Sequence, residues 1–475
     1  SFKFLTALLA INMPNSIESI GENCFYQCES VNSLVLSTNS NFTTISAYAF
    51  YYCSSADFNT ISIPNNILYI KEHAFDNCSG TETLILRENL ISIGDYAFNG
   101  CRSLTAINIP KTVKLIGKFA FFDCSSSESL VLSTNPEFTT VSESAFEGCS
   151  SIKIINIPTN IVHIEKRAFF NCSQATELNF ININEESNHS LCETIGESAF
   201  ENCVKIAYIN IPNTVVANGL GKRAFYNACS DSSINNTAIA GYATGALTIG
   251  NQIETIFEST FQNCSQIKYI KLPESVKTIK LNAFSGCSSI EEIVYMSSES
   301  AWNTLLGNTV QTSNSSARFV NARYKDYTLK TSGNAYVYFN CDKMTFAYND
   351  STYSLTSVDS DYATVLDIPA HYDNGTKKWA DVEIITSGAV SGRTNVTQVI
   401  IPDTTITIET NAFAGVSSAT LLVIGKGLVN LQNNAFSEMV ELNQIDYYAV
   451  SCANLSLNNG VFYNAGRVNS DNEIT

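Results

Sequence analysis

A phenylalanine, usually preceded by alanine, returns along this chain at near-fixed intervals, and no other feature restricts the fold as tightly. It stands at Phe25, Phe50, Phe75, Phe98, Phe121, Phe146, Phe169, Phe200, Phe225, Phe261 and Phe284. Most steps are 23 or 25 residues; the two longer ones, 31 and 36, hold insertions. A cysteine follows three residues later at Cys28, Cys53, Cys78, Cys101, Cys124, Cys149, Cys172, Cys203, Cys264 and Cys287, while Cys229 comes four after Phe225. A period of this length marks a solenoid, in which each repeat is too short to bury its own apolar face and must stack on its neighbours.

One unit shows the physics. Ile107 and Ile109 alternate with Asn108, the period-2 pattern of a strand with one buried face. Pro110 ends that strand, because proline has no N–H to offer the next rung. The remainder of the turn returns the chain beneath its start, so successive strands stack in parallel. About twelve turns fit between residues 1 and 296, a stack roughly 55 Å long at about 4.8 Å per rung. Phe2 lies 23 residues before Phe25, so the N-terminus reads as cut mid-repeat from a longer protein.

Length alone, 475 residues, would suggest about three globular domains; the repeat replaces that expectation. With 45% apolar and 15% charged residues the chain can bury a large core. A formal charge of −17 argues against nucleic acid and anionic membranes as partners, since phosphate binding needs clustered Lys and Arg. No apolar run reaches the roughly 18 to 20 residues of a membrane span.

The recurring Ala-Phe, the cysteine three later and the Ile-Pro pair resemble the BspA-like leucine-rich repeats. That resemblance implies a leucine-rich-repeat solenoid of parallel strands, one per turn of 23 to 25 residues. It also implies a surface or secreted protein that attaches to host cells or to matrix proteins such as fibronectin. Glu292 to Trp302 looks like the family's array ending, and Phe319 to Tyr324 like its closing strand. Ile445 to Tyr448 and Phe462 to Ala465 look like a weaker copy of that ending. The expected layout is a first array over 1–296, a cap over 297–330, a β-rich bridging segment over 331–381, a second short array over 382–448 and a C-terminal cap over 449–475. In the second array Val390, Phe413 and Phe436 keep the 23-residue step, but Arg393, Val416 and Met439 replace the cysteine. Its inner packing must therefore differ.

No enzyme is expected. Fifteen cysteines lack the C-x2-C spacing of zinc sites, and the four histidines, His73, His163, His189 and His371, read as rim residues. No cofactor is implied. Disulfides between adjacent rungs are geometrically allowed, but each ladder cysteine has two equivalent neighbours, and buried free thiols are the reading adopted. The run Gly219 to Lys222 resembles a phosphate loop only faintly and reads as backbone geometry. Eleven N-x-[ST] sequons occur; Asn77, Asn171 and Asn263 precede ladder cysteines and read as too crowded for glycosylation.

The outward residues of the strands form the natural binding face. In register these include Ser33, Val35, Thr83, Ile85, Ala106, Asn108, Ser129, Val131, Ile154, Asn156, Glu177 and Asn179. Tyr208 with Asn210, and Tyr269 with Lys271, are the candidate partner-binding residues, because tyrosine is enriched in binding hot spots; tyrosine's preference for strands is the blander explanation. Insertions at 183–194 and 230–245 are a second candidate. The expectation is an extracellular or cell-surface adhesion protein binding a host cell-surface or matrix protein, fibronectin-like ligands included. The alternatives are a structural coat component that self-associates and a glycan-binding module.

Overall fold

The computed structural model describes residues 1–180, 190–236, 244–308, 336–349, 351–362, 364–373, 379–449 and 460–466. The Phe319–Tyr324 closing strand lies outside these residues, as do His189, residues 183–189 of the first insertion and residues 237–243 of the second. Parallel strands coil into a β-solenoid of about 17 turns. The longer strands of the first stack pair in register two by two: Ala10, Ile11 and Asn12 face Ser33, Leu34 and Val35, and Ala106, Ile107 and Asn108 face Ser129, Leu130 and Val131. The central residue of each trio points inward and is buried, while its neighbours point out.

Most turns carry a second, two-residue strand beside the expected one. Thr44–Ile45, Tyr69–Ile70, Ser92–Ile93 and Leu115–Ile116 form a parallel sheet of their own. Its isoleucines are fully buried, which gives the turn two apolar walls. Gly117 shows how closely turns approach: a Cβ there would sit 2.4 Å from the Asp95 amide nitrogen. Gly221 is the same, with a Cβ 2.6 Å from the Glu197 nitrogen. The supposed phosphate loop is thus a point of close backbone contact.

The anchor phenylalanines form one unbroken stack from Phe2 to Phe284. Ring centroids are 5.0–5.7 Å apart and the planes differ by 3–18°. Across the 36-residue step the separation of Phe225 and Phe261 is 5.7 Å, so the longer step leaves the column undisturbed. Two residues after each Phe the backbone is left-handed, at Asn77, Asp123, Asn171 and Asn263 for example, and at Gly100, Gly148 and Gly286 elsewhere. That conformation costs most L residues about 1–2 kcal/mol and suits Asn and Gly best. It accounts for the sequons before the cysteines. Crowding does not hold at all of them, because Asn171 is exposed.

Each ladder cysteine uses its thiol. Sγ donates to the carbonyl of the preceding turn's anchor, Cys53 to Phe25 at 3.4 Å and Cys264 to Phe225 at 3.0 Å. At the inserted residue, Ala228 takes the backbone place of the cysteine by donating its N–H to Phe225. Cys229 is displaced yet fully buried. All described cysteines are free thiols. Burial pushes the Cys53 thiol up to about 12 and raises those of Cys78, Cys124, Cys172 and Cys264 as well, so these resist becoming thiolates.

Beyond the last rung of this stack, a helix from Glu299 to Asn308 lays Trp302 and Leu305 against the core. Tyr336–Tyr338 then pairs in parallel with Glu292–Met296. An antiparallel hairpin, Met344–Asn349 with Thr352–Val358, leads into further parallel rungs: Thr352–Val358 joins Ala380–Ile385, then Thr407–Ile408 and Asn430–Leu431. Phe413, Phe436 and Phe462 stack at 5.2 and 5.3 Å. At the cysteine positions, Val416 and Met439 fill the core with apolar bulk. Arg393 instead donates Nε to the Val358 carbonyl at 2.7 Å, tying this turn to the hairpin.

Candidate binding surface

The outward strand positions form two columns along the solenoid, and their surroundings change partway. From Ala10 to Asn156 they carry no charge, and most are exposed. Val35 is 53% exposed, Val131 54% and Ile154 40%. These aliphatic side chains stand singly among Ser, Thr and Asn, Val35 and Val131 in one column and Ile154 in the other.

From Tyr208 onward the same columns are covered. Tyr208 is 3% exposed and Val294 and Tyr338 are fully buried. Residues 371–373 and 379–381 lie over these rungs. His371 stacks on Tyr269 at 4.6 Å, and Trp379 lies 5.8 Å from the same ring. Asp373 accepts from the Thr248 hydroxyl at 2.9 Å, and its carbonyl accepts from Lys271 Nζ at 2.5 Å. Trp379 Nε1 donates to Thr248 Oγ1 at 3.3 Å.

His371 holds this contact ionically. Its Nδ1 lies 2.9 Å from Glu292 and its Nε2 3.0 Å from Asp381. Burial opposes charge on the ring, but the bonds to Asp381 and Glu292 outweigh it and raise its pKa to about 10. Burial lowers the Lys271 ammonium, partly offset by the charge of Asp373, and raises the Tyr269 phenol.

Of the candidate partner-binding residues, Tyr208, Tyr269 and Lys271 do not stand open on the strand face. Their side chains pack within the molecule, and Tyr208 also donates its hydroxyl to Asn179 Oδ1. Asn210 differs: it lines a cleft where the strands bend into their turns. Sequence reasoning missed the covering residues His371, Tyr372, Asp373 and Trp379. Their contacts span long stretches of sequence, from 79 residues between Glu292 and His371 to 131 between Thr248 and Trp379. The one available signal was the concentration of aromatics on both surfaces.

The remaining histidines take structural positions. His73 is stacked between Tyr48 and Tyr96 at 4.5 and 4.6 Å, with Nδ1 2.6 Å from Asp76. His163 Nδ1 lies 3.0 Å from the Thr194 hydroxyl. Among the described residues no group of His, Cys, Asp or Glu could hold a metal ion, and no helix is long and apolar enough to cross a membrane.

A stacked parallel solenoid with an open strand face defines a repeat scaffold of the leucine-rich class. The profile of the BspA type leucine rich repeat region matches residues 1–101, 43–176, 91–232, 175–305 and 381–471, and the chain belongs to this family. No curated protein matches it. Among solved structures, it is similar to a leucine-rich repeat protein from Bacteroides ovatus (20% identity, 92% of this chain and 86% of that one, TM-score 0.48). It is also similar to a leucine rich cell surface protein from Faecalibacterium prausnitzii (21%, 64% and 83%, 0.33). The T. pallidum leucine-rich repeat protein is a third (23%, 42% and 78%, 0.31).

Proposed function

We propose that this protein is a non-enzymatic recognition protein of the cell surface, binding a host cell-surface or extracellular matrix protein through the open strand face between Ala10 and Asn156. The supporting observation is the exposed Val35, Val131 and Ile154 on a face without charges, in a chain whose net charge is −17. Interface cores are depleted of charged residues, and this uncharged face with scattered aliphatic side chains fits that composition. Rigid rungs present it with little ordering cost. The F. prausnitzii relative is described as a cell surface protein, which supports an extracellular location for this one.

The test is solid-phase binding to a panel of matrix proteins, fibronectin included, alongside light scattering of the protein alone. Val131→Asp combined with Ile154→Asp is expected to weaken binding tenfold or more without changing the melting temperature. Unchanged binding would remove the strand face from the account. Self-association lost in the same variant, without matrix binding by the parent, would favour a coat protein instead.

A further inference from the structure

Next to the covered rungs lies a cleft of about 880 Å3 that the strand-face proposal does not use. It sits where three adjacent strands bend into their turns, and Tyr372 and Met296 form part of its wall. Its volume falls in the range of small-ligand sites, about 300–1,000 Å3.

The lining restricts the ligand. Asn210, Asn213 and Asn251 present carboxamides, and Thr214 and Ser190 present hydroxyls. A carboxamide offers a donor and an acceptor on one plane, the pairing that adjacent sugar hydroxyls require. The Asn251 backbone N–H donates to Asn213 Oδ1 at 3.0 Å; this fixes the amide and leaves its N–H donors for a ligand. The half-buried Met296 side chain supplies an apolar surface for the C–H face of a sugar ring.

One cation is recessed in this wall. Lys271 is half-buried, donates one hydrogen bond to the Asp373 carbonyl and lies 5.2 Å from the Tyr372 ring centroid. An ammonium has three donors, so further ones remain for an acid. At the rim, Lys277 already bonds the Glu274 carbonyl at 2.7 Å. Among the described lining residues Lys271 is the recessed cation and Glu274 the carboxylate; in a chain of charge −17 this balance suits a carboxylate better than a doubly charged phosphate. An added peptide strand is excluded at the cleft, because the strands carrying Asn210, Thr248 and Lys271 pair with one another there.

We infer that this cleft binds a short oligosaccharide bearing a carboxylate, with Lys271 pairing the acid and the asparagine carboxamides binding the hydroxyls. Calorimetry with 3′-sialyllactose, a short oligogalacturonate, lactose and inorganic phosphate tests it. One of the two acidic probes is expected to bind at least tenfold more tightly than lactose or phosphate. Which one binds separates a sialylated glycan from a uronate polymer as the source. Lys271→Met should cost tenfold or more. Asn251→Ala, at the rim and away from residues 371–373 and 379–381, should cost severalfold with an unchanged melting temperature. Binding of neither acid, equal binding of phosphate or lactose, or indifference to Asn251→Ala would overturn the inference. The Val131→Asp, Ile154→Asp variant should bind the probe normally, so this result and the strand-face result stand or fall separately.

Discussion

The same two outward columns run through this solenoid, yet at Val35 or Val131 they meet solvent and at Tyr208 or Val294 they meet protein. Backbone pairing differs too: the open strands hydrogen-bond two by two, whereas Tyr208–Asn210, Ala246–Thr248, Tyr269–Pro273, Glu292–Met296 and Tyr336–Tyr338 form one continuous sheet. Small and aliphatic residues over the first rungs attract no cover from the rest of the chain. Over the later rungs Tyr208, Tyr269 and Tyr338 join one apolar cluster with Tyr372 and Trp379. In a repeat protein, then, the surface is decided turn by turn, while the column of Phe beneath it is common property.

The largest effect should come from that common column. Phe121→Ala, at a fully buried position between Phe98 and Phe146, should cost about 3–5 kcal/mol. Chemical denaturation measures it, and the loss should be felt in the open and covered regions together. A loss confined to local fraying would show that the stack is not shared.

The covered region should respond separately to pH. The pKa of His371 is raised from about 6.5 in the unfolded chain to about 10 when folded. Its contribution is full below the unfolded value and is lost as pH rises through the folded one. Hydrogen exchange of residues 379–385 should therefore accelerate between pH 7 and about 10 beyond the intrinsic rate, and His371→Ala should abolish the extra dependence. Strands of the open region, such as Ser129–Val131, should show none.

A smaller, local effect is expected at the left-handed positions. Asn171→Val places a β-branched residue at a φ of 61° and should cost about 1–2 kcal/mol by thermal melting. Asn171→Gly should be close to neutral. Smallest of all, thiol titration without reductant should find all 15 cysteines reactive once the protein is denatured. In the native protein half-buried Cys24 should react ahead of the buried ladder. A denatured count below half would mean inter-rung disulfides.

Much of the fold was legible because a solenoid repeats its constraints. Phe, Cys and the alternating Ile recur every 23 or 25 residues, and each recurrence fixes the same local geometry. The second short strand was not foreseen, since two residues such as Leu115–Ile116 are too few to show a period. The candidate face was legible as a register but not as a surface. Alternation places Tyr269 and Lys271 outward correctly, but it carries no information about His371 or Asp373, 102 residues apart from them in sequence. A contact made once, between distant segments, leaves no pattern to read.

Hydroxyl-radical footprinting with mass spectrometry tests the contrast between open and covered rungs most directly, because tyrosine oxidation reports solvent access. Tyr52, 40% exposed, and Tyr463, 66% exposed, should be modified rapidly. Tyr208 and Tyr269 should be protected in the native protein and become reactive on unfolding. Oxidation of Tyr208 and Tyr269 at the rate of Tyr52 would contradict the account, because the rungs beneath residues 371–373 and 379–381 would then be open.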